Sequence, residues 1–444
     1  MLLSRTLRIR GELGSSVKRL LDESKSAGTF KSERVLVSAQ GTEIITEKGK
    51  YLNFCSNNYL GLSNNPQVAA AAKESIDSHG FGLSSVRFIC GTQDIHKDLE
   101  SKIAAFHDME AAILFPSCFD ANAGIFEALL NPKDAVFSDA LNHASIIDGI
   151  RLCKAGTKER YNHLDLIDLE KKIQTAVETG PADQIRLIVS DGVFSMDGDI
   201  APLRGLAALT EKFPNTYLMI DECHATGVLG KTGRGTPEYF GVKVDIINST
   251  LGKALGGGTG GYTAGSSDVI ELLRQKARPY LFSNSVAPAI VGASLKVMDI
   301  LGHVDTSKPT LQDQLLANTR YFRNALNNAG LTILGADDCP IVPVLIGDAN
   351  KSSEFAEKLL ERGIYVVSFS YPVVPRGQAR IRVQISSAHT KQQLQKAVAS
   401  FVSVSKELGL LELYTSAAFE KHTETGRRLA QKQDDDVEWD AQKK

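Results

Sequence analysis

The chain has 444 residues, of which 43% are hydrophobic and 23% charged, and its 50 basic and 52 acidic side chains leave a formal net charge of -2. This is the balance of a globular protein with a sizeable core; it excludes general disorder and any strong global field for nucleic acid or an anionic membrane surface. The six cysteines show no CxxC spacing, and no apolar run approaches the roughly 20 residues that span a bilayer, so a reducing compartment, no metal site and a small-molecule substrate are expected.

Residues 1–20 carry Arg5, Arg8, Arg10, Lys18 and Arg19 against the single acid Glu12, with Leu2, Leu3, Leu7, Ile9 and Leu13 interleaved. That composition fits a presequence directing the protein to the mitochondrial matrix; the alternative is a basic helix packing on the body. After a leading segment over residues 21–60, a large α/β domain is expected over 61–300. Short apolar runs at residues 112–115, 135–138, 185–190, 217–221, 246–250 and 262–264 predict strands, and the stretches 120–130, 164–177 and 203–213 have helical period. Alternation of this kind predicts a mostly parallel sheet covered by helices on both faces. Beyond a helix at 287–301, strands at 341–346, 364–369 and 379–386 with helices at 353–362 and from 390 predict a smaller α+β domain over 301–410. Residues 411–444, with the acids Asp434 to Asp436 near the only tryptophan, Trp439, read as a polar C-terminal extension.

Chemistry concentrates between Leu218 and Gly261, just beyond the carboxyl ends of predicted strands, where parallel sheets present ligands. Asp221 ends a buried strand, and an ionised carboxylate there needs a cationic partner or donors. A protonated pyridine nitrogen is such a partner, which points to pyridoxal 5'-phosphate; a helix cap or an ion pair is the plainer alternative for Asp221 taken alone. His224 follows on the same loop and could reach the cofactor's phenolic oxygen. Lys253, in Gly252-Lys253-Ala254 directly after a strand, is flanked by small residues that let a ring approach. Its amine has to be neutral to attack an aldehyde or take a proton. A phosphate-binding P-loop is excluded because Ala254 follows Lys253, and the GxGxxG pattern at 256–261 runs straight into a strand rather than a helix. Upstream, the turn at Ser117-Cys118-Phe119 opens a helix whose free N–H groups could bind a phosphate, and the imidazole of His143 could stack on the ring.

Together with Asn53 to Leu62, Ser78 to Gly82, Ser85 to Gln93 and Ser138 to Ser145, these strings resemble the α-oxoamine synthases over about residues 33–408. The resemblance implies pyridoxal-phosphate fold type I, the aspartate-aminotransferase-like architecture, with a large mostly parallel-sheet domain and a smaller α+β C-terminal domain. It implies that Lys253 forms the Schiff base and moves the α-proton, that Asp221 binds the ring nitrogen, that His224 and Ser195 bind the phenolic oxygen and that His143 stacks on the ring. The phosphate would fall to Cys118, Phe119 and Thr250, with Ser283 and Asn284 arriving from a second subunit of a homodimer, and the amino-acid substrate to Asn58, His143 and Arg382. The string from Ser85 to Gln93 favours the branch that joins glycine to acetyl-CoA, giving 2-amino-3-ketobutyrate and CoA, a reversible step of threonine breakdown to glycine. A sister synthase using another amino acid or acyl-CoA is the alternative. A non-catalytic structural subunit conflicts with the presence of Lys253, Asp221, His224 and His143 together. Cys223 stands where relatives often carry serine, and the extension after about residue 414 has no recognised counterpart.

Overall fold

The computed structural model describes residues 11–26, 30, 33–303, 307–371 and 373–411. Most of the expected presequence that precedes Glu12 and nearly all of the expected polar extension lie outside the described residues; Glu12–Ser26 forms a helix with no buried side chain.

Thirteen strands are described. β1 (Glu43–Thr46) and β2 (Gly49–Asn53) precede β3 (Ala111–Phe115), β4 (Ala135–Asp139), β5 (Thr157–Tyr161), β6 (Arg186–Asp191), β7 (Thr216–Asp221), β8 (Ile246–Thr250) and β9 (Gly261–Gly265). β10 (Ile341–Gly347), β11 (Ile364–Tyr365), β12 (Ser368–Phe369) and β13 (Ala379–Gln384) follow. The large sheet runs β3-β9-β8-β7-β6-β4-β5, with β9 antiparallel to both neighbours and the remaining pairs parallel. Every residue of β4 and β6 is buried, as expected for strands covered on both faces. Along β4 the faces alternate: Val136 packs with Phe126 and Ile146 in one cluster, Ala135 and Phe137 with Leu169 and Leu206 in another.

All six strands expected in the large domain are present. β5 is an addition that hydropathy could not reveal, because Thr157–Tyr161 is an edge strand whose middle three residues face solvent. The helix expected at 164–177 is Leu166–Thr179 instead, because Leu164 has φ 58° and Asp165 caps the helix by accepting from the Ile167 and Asp168 amides. The single strand expected at 364–369 is two strands in different sheets: β11 pairs in parallel with β2, and β12 pairs with β13. Residues 43–53, assigned to a separate leading segment, therefore hydrogen-bond to the C-terminal part of the chain.

One buried ion cluster ties the loop over residues 85–93 to this scaffold. Glu100, on the helix Asp94–Phe106, meets Arg87 at 2.9 Å and Arg274 at 2.8 Å, and Tyr280 lies against both guanidinium groups. Burial opposes the Glu100 charge, but the two arginines outweigh it and hold the carboxyl below its usual value of 4.5. Glu100→Gln leaves the buried Arg87 and the half-buried Arg274 without this counter-charge, so unfolding in urea at pH 7 is expected to show a loss of about 3 kcal/mol. Because the folded value is depressed, the wild type holds this contribution above about pH 4.5 and loses it as pH falls, whereas the variant should lack that dependence.

Candidate active site

The register of β6 and β7 sets Asp191 directly opposite Asp221 at the carboxyl ends of both strands. Asp221 is buried; its Oδ2 accepts from Asn122 Nδ2 at 2.7 Å and its Oδ1 from the Cys223 amide at 2.9 Å. No ion pair with Asp221 occurs among the described residues. Asn122, on the helix Cys118–Leu129, also donates to Ser145 Oγ at 2.9 Å and accepts from Asn248 Nδ2 at 2.8 Å, so one amide joins the helix to β7 and β8. Burial and the neighbouring charge of Asp221 raise the Asp191 carboxyl well above the carboxylate range.

His224 and Lys253 meet. Lys253 Nζ lies 2.9 Å from His224 Nε2, and Tyr59, fully buried, places its hydroxyl 2.8 Å from His224 Nδ1. Burial, with the charges of Lys253 and Arg382, lowers the His224 pKa well below the ordinary imidazole value. In the turn that carries Lys253, Gly257 has φ 78°, a left-handed conformation that favours glycine. Gly261 matters for a different reason: a Cβ there would stand 2.2 Å from the Cys118 amide. The missing side chain lets β9 pack against the first turn of Cys118–Leu129, whose cap is Ser117 Oγ, accepting from Asp120 N at 3.0 Å. The first-turn amides of Cys118 and Phe119 are thereby left pointing out of the helix N-terminus, the geometry that binds anions.

Thr250 Oγ1, at the start of the turn that carries Lys253, accepts from Gly252 N at 3.0 Å. His143 is exposed and caps the helix Ala144–Leu152, with Nδ1 2.7 Å from Ser145 Oγ. Ser195 lies half-buried in the turn after β6, between the bridged residues Val193 and Ile200. Ser283 and Asn284 follow the helix Arg278–Phe282 and lie beside the loop at 85–91, where Asn284 bridges Val86. Cys118, Asp221 and Cys223 bring a sulfur, a carboxylate oxygen and a second sulfur within 4.8 Å of one another. Hydrogen bonding with Cys223 and burial push the Cys118 thiol up, and burial pushes Cys223 up.

Arg382, on β13, is half-buried, and desolvation lowers its pKa; among the described residues no carboxylate pairs with it. Its guanidinium is met by the Gln384 oxygen, 2.8 Å from Nε, and by Asn57 Oδ1 at 3.4 Å. Asn58 does not face Arg382: it is buried, and its Oδ1 accepts from the Ser63 amide at 3.2 Å, while the preceding Asn57 reaches the arginine. Asn122, Asp191, Tyr59, Asn57 and Gln384 were not singled out by sequence. Asp191 could have been, since it ends a strand as Asp221 does, and Gln384 shares the face of β13 with Arg382 two residues before.

Residues 49–401 match the family model described as aminotransferase class I and II. The chain is 55% identical over 395 residues to the mitochondrial 2-amino-3-ketobutyrate coenzyme A ligase of Homo sapiens, covering 88% of this chain and 92% of that one. It is 53% identical over 406 residues to the 2-amino-3-ketobutyrate coenzyme A ligase of Escherichia coli (strain K12), covering 91% of this chain and all of that one, 100%. A solved structure of SPT with a PLP internal aldimine matches with TM-score 0.82 at 28% identity, over 90% of this chain and 100% of that chain.

Glu222, next to Asp221, is fully buried and accepts from the Thr236 amide at 2.8 Å as well as from its hydroxyl. Burial raises its carboxyl from 4.5 to about 7, outweighing the Thr236 hydrogen bonds. The fold thus favours the protonated form, so its contribution is complete below about pH 4.5 and is lost as pH rises through about 7. Glu222→Gln is expected to abolish a fall on the order of 3 kcal/mol over that window, read from urea midpoints at pH 5 and pH 8.

Proposed function

The chain belongs to the aminotransferase class I and II family and, within it, to the 2-amino-3-ketobutyrate coenzyme A ligases, and on that premise we propose that it interconverts glycine plus acetyl-CoA with 2-amino-3-ketobutyrate plus CoA, in threonine degradation to glycine. The observation that carries this reading is the convergence of Lys253, His224 and the strand-end carboxylate of Asp221 beside an open helix N-terminus. The site fits pyridoxal phosphate: Asp221 has donors but no cation, and the close approach at Gly261 leaves the amides of Cys118 and Phe119 directed outward. When bound, that cofactor supplies an aldehyde for imine chemistry and a protonated ring that takes up the electrons of a substrate carbanion.

The chain's own residues then divide the work. Asp221 holds the ring nitrogen protonated, with Asn122 and the Cys223 amide fixing the carboxylate. The Cys118 and Phe119 amides and Thr250 hold the phosphate, with Ser283 and Asn284 of the partner subunit. His143 offers its exposed ring for stacking, and His224 and Ser195 address the phenolic oxygen. Lys253 anchors the cofactor and carries the α-proton of glycine, its amine held by His224. Arg382, a half-buried cation with no carboxylate among the described residues, takes the carboxylate of the amino acid in its two-pronged grip, assisted by Asn57.

A homodimer is supported by an apolar surface around the segment that holds Ser283: Phe81 is 83% exposed, Ile89 69%, Phe282 67% and Phe88 63%. A patch of this kind on a monomer marks an interaction surface. Residence in the mitochondrial matrix is supported by the basic, acid-poor first 20 residues and by the mitochondrial label of the human relative; retention of an N-terminal fusion in the cytosol would count against it.

Lys253→Ala is expected to abolish covalent retention of the cofactor after borohydride reduction, read by mass spectrometry, and to slow exchange of the glycine α-proton with solvent by about 10²- to 10⁴-fold. Steady-state rates for glycine, alanine and serine, each with acetyl-, succinyl- and palmitoyl-CoA, should favour glycine with acetyl-CoA. Preference for a longer acyl chain would overturn that choice in favour of a sister reaction.

A further inference from the structure

Five side chains from four separate parts of the chain form one hydrogen-bonded row. Gln384 accepts from Arg382 Nε at 2.8 Å and Nη2 at 2.9 Å, and its amide nitrogen lies 2.9 Å from the Tyr59 hydroxyl. Tyr59 lies 2.8 Å from His224 Nδ1, and His224 Nε2 lies 2.9 Å from Lys253 Nζ.

At the arginine end the direction of the row is fixed. A guanidinium only donates, so the group of Gln384 that faces Arg382 has to be its oxygen, and the NH2 group is turned toward Tyr59. The Tyr59 oxygen then accepts from Gln384, which frees its single hydrogen for another acceptor. Two are in reach: His224 Nδ1 at 2.8 Å and Asn57 Oδ1 at 3.3 Å, and the latter already faces Arg382 Nη2. The shorter and otherwise unserved partner is Nδ1. An imidazole that accepts at Nδ1 while neutral carries its proton on Nε2, the nitrogen that faces Lys253.

We propose that Tyr59 and Gln384 are positioning residues which, driven by the fixed donor polarity of Arg382, lock His224 as the Nε2–H tautomer and so aim a hydrogen-bond donor at the Lys253 amine and, with cofactor bound, at its phenolic oxygen. This inference rests on the function proposed above for its meaning, though not for its geometry. A donor at Nε2 needs a lone pair on the Lys253 nitrogen, and a lone pair there is also what attack on an aldehyde or receipt of a proton requires, so the proposed tautomer and the proposed chemistry make the same demand. Two properties of the row agree. Burial, with the charge of Arg382, lowers the His224 pKa well below the ordinary imidazole value, and burial of Tyr59 raises its hydroxyl so that it keeps the hydrogen it gives. The row also begins at the arginine assigned to the amino-acid carboxylate and ends at the amine that moves the α-proton, so both functions share one hydrogen-bond polarity.

The test is nitrogen-15 NMR of the full-length protein with labelled histidine, with and without cofactor, the His224 signals being identified by their loss in His224→Gln. Wild-type protein should show an unprotonated Nδ1 and an N–H at Nε2. Gln384→Glu is the decisive variant: a carboxylate of nearly the same shape accepts from both Arg382 and Tyr59, which turns the tyrosine hydrogen away from His224 and should move the imidazole proton to Nδ1. Tyr59→Phe, which removes only the hydroxyl, should leave a mixture of tautomers and move the midpoint of the pH titration of the visible cofactor band. A role limited to packing would move neither the tautomer nor the titration. A proton on Nδ1 in the wild type, or an unchanged tautomer in both variants, overturns the proposal. Failure of the functional reading is separate: wild-type protein that binds pyridoxal phosphate but transfers no acetyl group to glycine would sink that reading while leaving the tautomer result intact.

Discussion

A buried carboxylate at the end of a strand has to be satisfied by its surroundings, and the satisfaction of Asp221 organises the centre of this protein. Asn122 supplies one donor at 2.7 Å; the same side chain is held by Ser145 and by Asn248, and Asn248 in turn accepts from Thr263 at 2.6 Å. The chain of contacts crosses the helix Cys118–Leu129, β7, β8 and β9. Each member is buried and has a partner, so the network rigidifies the floor of the site and fixes the orientation of the Asp221 carboxylate. Asp191, one strand away, belongs to the same arrangement, and its raised carboxyl limits the negative charge crowded at the strand ends.

The rest of the site depends on how closely elements approach that floor. Gly261 admits the first turn of Cys118–Leu129 against β9, which fixes where the free amides of that turn stand. The turn between β8 and β9 brings Lys253 to His224, and Tyr59 arrives from the N-terminal part of the chain to hold the other ring nitrogen. Arg382 comes from β13 in the C-terminal part. The pairing of β2 with β11 joins these last two contributions, since the segment carrying Asn57 and Tyr59 is bonded to the same unit that carries Arg382 and Gln384. Lys253 and His224 on one side and Arg382 and Gln384 on the other therefore meet through Tyr59, where the beginning and end of the chain are tied together.

By itself the sequence determined the large sheet, the position of Lys253 after a strand, the strand-end Asp221, His224 beside it and the helix opening at Cys118. Each is a local signal: an apolar run, a turn rich in small residues, or a cap followed by helical period. It also carried the family resemblance, because the motifs that bear it are contiguous strings. Only the tertiary structure decided the pairings. Hydropathy does not mark β5, whose solvent-facing residues make it polar, and it joined β11 to β12 although they belong to different sheets. Sequence does not tell which of the adjacent Asn57 and Asn58 meets Arg382; the backbone turns Asn57 toward it, while the Asn58 oxygen accepts from the Ser63 amide. The same is true of Asn122 and Gln384, two amides whose position is ordinary and whose importance lies in a partner 99 residues away in one case and in Tyr59, from the N-terminal part of the chain, in the other. The physical reason is that a local pattern encodes the burial and backbone conformation of its own segment, while the direction of a hydrogen bond is set by which donor or acceptor another segment brings to face it.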